Sequence, residues 1–77
     1  MKEFNVLLNS INDVKQFVNT TAAQMCDIDI VSGRYVIDAK SIMGLFSVDL
    51  TKPVKVSVHG TDEEAAEFYT QIKQFVV

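Results

Sequence analysis

Lys40-Ser41-Ile42-Met43-Gly44-Leu45-Phe46-Ser47-Val48 is the stretch on which the reading of this chain turns. Ser41 suits a helix N-cap, because its hydroxyl can accept a hydrogen bond from an amide of the first turn. Behind it, Ile42, Met43, Leu45, Phe46 and Val48 carry more apolar surface than one short helix can bury on one side. Helical spacing puts Met43 and Phe46 on one side and Ile42 with Leu45 on another. Part of this surface is therefore expected in the core and part outside. Ile42, Met43 and Phe46, with Lys40 beside them, are the candidate docking residues. Ser41, at the positive end of the helix and next to that patch, is the candidate phosphorylation site.

Outward from this stretch, the pattern on either side is strand-like. Asp27-Ile28-Asp29-Ile30-Val31 alternates at period two, Ser32-Gly33 signals a tight turn, and Arg34-Tyr35-Val36-Ile37-Asp38 returns as the second strand of a hairpin. After the Ser41 helix, Asp49 to Pro53 is a connection, and the proline bars further helix. Val54, Val56 and Val58 alternate with Lys55, Ser57 and His59, which predicts a strand with one buried face. Gly60 ends it. Thr61 and Glu64 then have the spacing of a capping box, ahead of a helix whose stripe is Ala65, Phe68, Tyr69, Ile72, Phe75 and Val76. Towards the N-terminus, Phe4, Val6 and Leu8 predict a first strand, and Asn9-Ser10 a turn or cap. Ile11, Val14, Phe17, Val18, Thr21, Ala22 and Met25 predict a helix over Asn12 to Met25 with one buried stripe.

The order is strand, helix, strand, strand, helix, strand, helix. Four strands with one-sided alternation predict an antiparallel sheet whose three helices cover one face. Phe4, Val6, Phe17, Val18, Ile28, Ile30, Ile37, Val56, Val58, Phe68, Ile72 and Phe75 are the expected core. Residues 1–77 are expected to form a single small domain. The net charge of −3 argues against nucleic acid as a direct partner, which would call for a basic face. Cys26 is the only cysteine and has no internal disulfide partner, which points to a reducing compartment. Met1-Lys2-Glu3-Phe4 lacks the apolar segment of a signal peptide, and no run is long enough to span a bilayer. A cytoplasmic protein with no membrane contact is expected.

The element order and the Ser41 stretch resemble the HPr family, the small histidine phosphocarriers of the bacterial sugar phosphotransferase system. Lys40-Ser41-Ile42-Met43-Gly44 is similar to the family's regulatory serine segment, which a dedicated kinase phosphorylates in Gram-positive bacteria. His59-Gly60-Thr61-Asp62-Glu63 is similar to its turn into the last helix, and Gln16-Phe17-Val18 to its first helix. The resemblance implies an HPr-like open-faced α/β sandwich of βαββαβα order. The chain departs from the family at the carrier site just before the first helix, where an acceptor histidine, an arginine and a proline are expected. Here the region reads Asn9-Ser10-Ile11-Asn12-Asp13-Val14. With Ile11 at the apolar position, Asn12 takes the place of the histidine. An amide is no nucleophile toward phosphate, and Asp13 would repel a phosphoryl group where arginine would attract it. Crh-type members also lack the acceptor histidine, keep the serine and act in carbon catabolite control, and this sequence resembles them in that logic.

The remaining reactive residues have plain structural readings. His59, the only histidine, falls by parity on the outer face with Lys55 and Ser57, an exposed strand-end residue and not a metal site by itself. Cys26 reads as a small hydrophobe. Asp62, Glu63 and Glu64 fit the first turn of a helix. Asp27 and Asp29 share an outer face where Lys55 or His59 can oppose them. The expectation is a non-catalytic regulatory protein of the phosphotransferase type, with no cofactor or metal. Its partners would be proteins: a serine kinase, a transcription regulator or a phosphotransferase component. The alternatives are a constitutive interaction module in which Ser41 is only a cap, and a phosphoryl carrier using His59 or another acceptor.

Overall fold

Val54, Val56 and Val58 are buried while Lys55 and His59 are exposed, so the strand they share has one core face and one open face. The computed structural model describes residues 2–77 and builds the sheet around this strand. Its elements are β1 (Lys2–Val6), α1 (Ile11–Ala22), β2 (Asp27–Ser32), β3 (Tyr35–Asp38), α2 (Ile42–Phe46), β4 (Val54–His59) and α3 (Asp62–Ile72), followed by a 3-10 turn over Lys73–Phe75. Met1, part of the segment read as lacking a signal peptide, lies outside the described residues. The strand order is β1-β4-β2-β3, and every pairing is antiparallel. The three helices leave the other face of the sheet open, as the alternation predicts.

Register assigns the two faces. Phe4 lies opposite Val56 and Val6 opposite Val54, while Ile28 and Ile30 face Val58 and Val56 from the other side. All of these but Phe4, with Phe17, Phe68, Ile72 and Phe75 from the helical layer, belong to the core. Phe17 stands edge-on to Phe68 and Phe75, with ring centroids 6.2 and 6.3 Å apart, a favourable arrangement for aromatic pairs. Leu8, Val14, Ala39, Leu45, Val54 and Ala65 are also buried. Phe4, Val18 and Ile37, expected in the core, are only half-buried. Phe4 and Ile37 belong to the two edge strands, and Phe4 packs on Tyr69 with centroids 5.0 Å apart.

Caps fix the helix ends. Thr61 and Glu64 form the expected reciprocal box: the Glu64 amide donates to Thr61 Oγ1 at 3.1 Å and the Thr61 amide to Glu64 Oε1 at 2.8 Å. Gly33 turns the β2–β3 hairpin with φ of 60°, a region that favours glycine. The first helix departs from expectation at both ends, starting at Ile11 and ending at Ala22. Met25 is therefore off the helix and 94% exposed, and Ile11, in the first turn beyond the sheet, is 64% exposed. At the C-terminus, the Leu7 amide donates to the Phe75 carbonyl and the Val77 amide to the Asn5 carbonyl, so the end of the chain covers the outer edge of β1.

Candidate functional site

Ser10 caps α1. Its Oγ accepts from the Asp13 amide at 3.1 Å, and Asp13 Oδ2 accepts from the Asn9 amide at 3.0 Å. One first-turn amide of α1, that of Asp13, is thus served by a hydroxyl of the chain, and the Asp13 carboxylate puts a negative charge at the positive dipole end that would favour a phosphate. Asn12, expected at the degenerate carrier position, lies inside the first turn and is exposed. The segment that immediately precedes the helix is Asn9-Ser10, because the helix begins one residue before its expected start.

Ser41 caps α2, with its Oγ accepting from the Gly44 amide at 3.1 Å. Leu45, fully buried, anchors this short helix to the core. Gly44 lets it sit close to β3: a Cβ there would lie 2.5 Å from Ile37 Cγ2. Thr21 of α1 also ties the segment down, donating from its hydroxyl to the Ala39 carbonyl at 2.8 Å. The outer side of α2 then presents Met43, 77% exposed, and Phe46, 45% exposed. Ile42 differs from its expected place in an exposed patch, being half-buried and packed on the core beside Leu45. Lys40 also turns elsewhere, its Nζ donating to the Gln24 carbonyl at 3.1 Å just beyond the end of α1. That carbonyl end attracts a cation, which explains the choice.

Phe46 meets Ile11 across a shallow open groove that also involves Leu8, Val14 and Leu50, with Asn9, Ser10 and Thr51 at its polar rim. The structure therefore joins the start of α1 to the outer side of α2 in one apolar surface. Ile11 is the member that helical periodicity counts in the buried stripe of α1, though it is not among the expected core residues. Its place directly after a cap residue was the available signal, since a first-turn side chain can overhang the sheet. At the rim, the hydroxyl and amide of Thr51 bond to Asp49 and hold its carboxyl below the usual carboxylate range.

His59 lies apart, on the open face of the sheet, where Nε2 is 2.9 Å from Asp29 Oδ2 and the residue opposite is Asp27. Ser57, between Glu3 and Asp29 in register, is buried on that same face and donates to Glu3 Oε2 at 3.2 Å. Cys26 is half-buried against the core. Among the described residues no group of histidine, cysteine and acidic side chains is arranged to hold a metal ion, and no helix is long and apolar enough to cross a membrane.

Residues 12–77 match the model of the PTS-HPr family, described as the PTS HPr component phosphorylation site. The match begins at Asn12, so Asn9-Ser10-Ile11 lies outside it. A solved structure described as HPr-C-His from Thermoanaerobacter tengcongensis superposes with a TM-score of 0.74 and 26% identity, over 96% of this chain and 93% of that one. A second, the histidine-containing phosphocarrier protein of a mycoplasma, superposes with a TM-score of 0.74 over 95% of this chain and 89% of that one, and at 16% identity shares the fold alone. The search of curated proteins gives no match. With the family match running through α1, β2, the Ser41 segment, β4 and α3, and the whole architecture shared with both solved structures, this chain belongs to the HPr family of phosphocarrier-like proteins of the phosphotransferase system.

Proposed function

We propose that this HPr-family protein acts as a non-catalytic docking regulator and not as a phosphoryl carrier. The observation that carries the reading is the combination of Phe46 and Ile11, both exposed around an apolar groove, with the Asp13 carboxylate bonded to the Asn9 amide at the start of α1. A carrier must hold a phosphoryl group beside the start of α1, and a carboxylate bonded to the Asn9 amide repels it there. A partner loses nothing at this site by docking apolar surface on Met43, Phe46 and Ile11. The partner is a protein, either a phosphotransferase component or a regulator of carbon catabolite control.

Ser41 is the phosphate acceptor of the switch in this reading. A phosphate on its Oγ would add close to two negative charges at the cap of α2 without entering the core, and would recharge the surface beside Met43. The reading in which Ser41 is only a cap also has a specific observation in its favour: Oγ already serves the Gly44 amide, and Lys40 is committed to Gln24 instead of standing ready to neutralise a phosphate. Treatment with the family's serine kinase and ATP, followed by peptide mapping, separates the two. Phosphate at Ser41, absent from Ser41→Ala, is the expected result. An unlabelled chain would remove the switch and leave constitutive docking.

A further inference from the structure

The sheet has two edges, and only one is covered. Over β1 the C-terminal segment adds backbone bonds, from Leu7 to Phe75 at 2.9 Å and from Val77 to Asn5 at 3.0 Å. On the other edge β3 pairs with β2 alone, and Tyr35 and Val36 are 64% and 66% exposed. The ladder fixes which backbone groups are free. The Ala39 amide donates to the Ile28 carbonyl at 2.9 Å. Ile37 and Tyr35, at alternate positions, therefore also turn their amides and carbonyls to β2, and Val36 and Asp38 turn theirs outward. An open strand edge is usually blunted by lysine, proline or a bulge. This one has Val36 at its centre.

The charges around Val36 are self-complementary. Val36 and Asp38 lie opposite Val31 and Asp29 on the open face, and Arg34 is the exposed turn residue directly before the strand. Asp38 faces another carboxylate, an unfavourable cross-strand pair. The ion pairs among the described residues, Lys55–Glu3 and His59–Asp29, include neither Arg34 nor Asp38, whose Oδ1 accepts only from the Lys40 amide at 2.9 Å. A cation thus stands two residues before Val36 and an anion two residues after it. An antiparallel second copy, related by a two-fold axis at Val36, sets Val36 against Val36 and Arg34 of each copy against Asp38 of the other. We propose that β3 is a self-pairing edge through which two copies of this chain join their sheets. This proposal is independent of the docking surface at Phe46.

The ladder is short. The two Val36 residues exchange both bonds, and the Asp38 amide of each copy reaches the Arg34 carbonyl of the other. The Asp38 carbonyl already accepts from the Ser41 amide at 3.1 Å, which ends the pairing there. So small a contact falls below the ~1,200 Å² of a standard interface, and the dimer is weak and reversible.

Sedimentation velocity over ~10 μM to ~1 mM covers the affinity range of such a contact. The mean mass is expected to rise from 8.6 kDa toward twice that value, while exchange of the Val36 amide slows in parallel. Arg34→Asp and Asp38→Arg each place like charges in both contacts and should abolish association. An equimolar mixture of the two variants restores it, because both contacts then join opposite charges. Val36→Lys, at an exposed position, also abolishes association and keeps the test open should Asp38→Arg unfold. A constant mass throughout the range, association that survives Val36→Lys, or folded charge variants that fail to rescue each other would overturn the proposal.

Discussion

Replacing Thr21 with valine isolates one hydrogen bond that holds the Ser41 segment in place. Thr21 is fully buried, and its hydroxyl lies 2.9 Å from the Val18 carbonyl and 2.8 Å from that of Ala39. The Val18 carbonyl keeps its place in the ladder of α1 when the hydroxyl is lost. The carbonyl of Ala39, a residue with no exposed surface, loses its partner. Valine has nearly the shape of threonine, so no cavity forms, and the cost is that of an unsatisfied buried carbonyl, ~1–3 kcal/mol. The added methyl returns less than ~1 kcal/mol. The net loss of ~1–2 kcal/mol corresponds to a fall in Tm of roughly 4–16 °C for a domain of this size. Thr21→Ser is the control, because it loses a methyl but keeps the hydroxyl. Urea melts give the stabilities, and amide exchange locates the damage. At matched global stability, exchange at Gly44 and Leu45, whose amides bond to Ser41, should quicken in Thr21→Val and stay as in wild type in Thr21→Ser. A valine variant as stable as wild type, with unchanged exchange at Gly44 and Leu45, would refute this anchoring.

Other substitutions follow from the same contacts. Gly44→Ala gains ~1 kcal/mol of helix propensity but drives a methyl into Ile37 Cγ2, an overpacking cost of ~1–3 kcal/mol; it should destabilise in wild type and stabilise in an Ile37→Ala background, and denaturant melts showing the same sign in both would contradict the clash. Phe68→Ala, at a fully buried ring, should cost ~3–5 kcal/mol against ~1 kcal/mol for loss of the cap in Thr61→Ala, and melts that reverse this order would misplace α3. The lowered Asp49 carboxyl contributes stability above the usual aspartate value of ~3.9, which is lost as pH falls through its folded value; carbon-detected NMR titration should find it below that usual value, and Thr51→Ala should raise it.

Much of the fold is written locally. The valine alternation of β4, the Ser32-Gly33 hairpin turn, and the Ser41 and Thr61 caps each have a signal within a few residues, and each is present in the structure. The C-terminal end of α1 has no such signal. Helical periodicity continues through Met25 with neither glycine nor proline to stop it, yet the chain must leave the helix after Ala22 to enter β2. At the candidate site, spacing alone placed Met43 and Phe46 on one side of α2 and Leu45 on the other. It did not place Lys40, whose partner Gln24 is distant in sequence, nor Ile11, which periodicity sends inward and geometry sends out to Phe46. Thr21 reads as one more position in an apolar stripe, and only tertiary structure reveals that its hydroxyl reaches Ala39.

Docking without phosphoryl carriage is tested most directly by phosphoryl transfer itself. The protein is incubated with phosphoenolpyruvate and the general enzyme of the phosphotransferase system, and its intact mass is measured under alkaline conditions that preserve phosphohistidine. The expected result is an unchanged mass, since the single histidine, His59, lies on the open face of the sheet against Asp29 and the start of α1 carries the Asp13 carboxylate. Stoichiometric addition of one acid-labile phosphate would contradict it and make this chain a carrier.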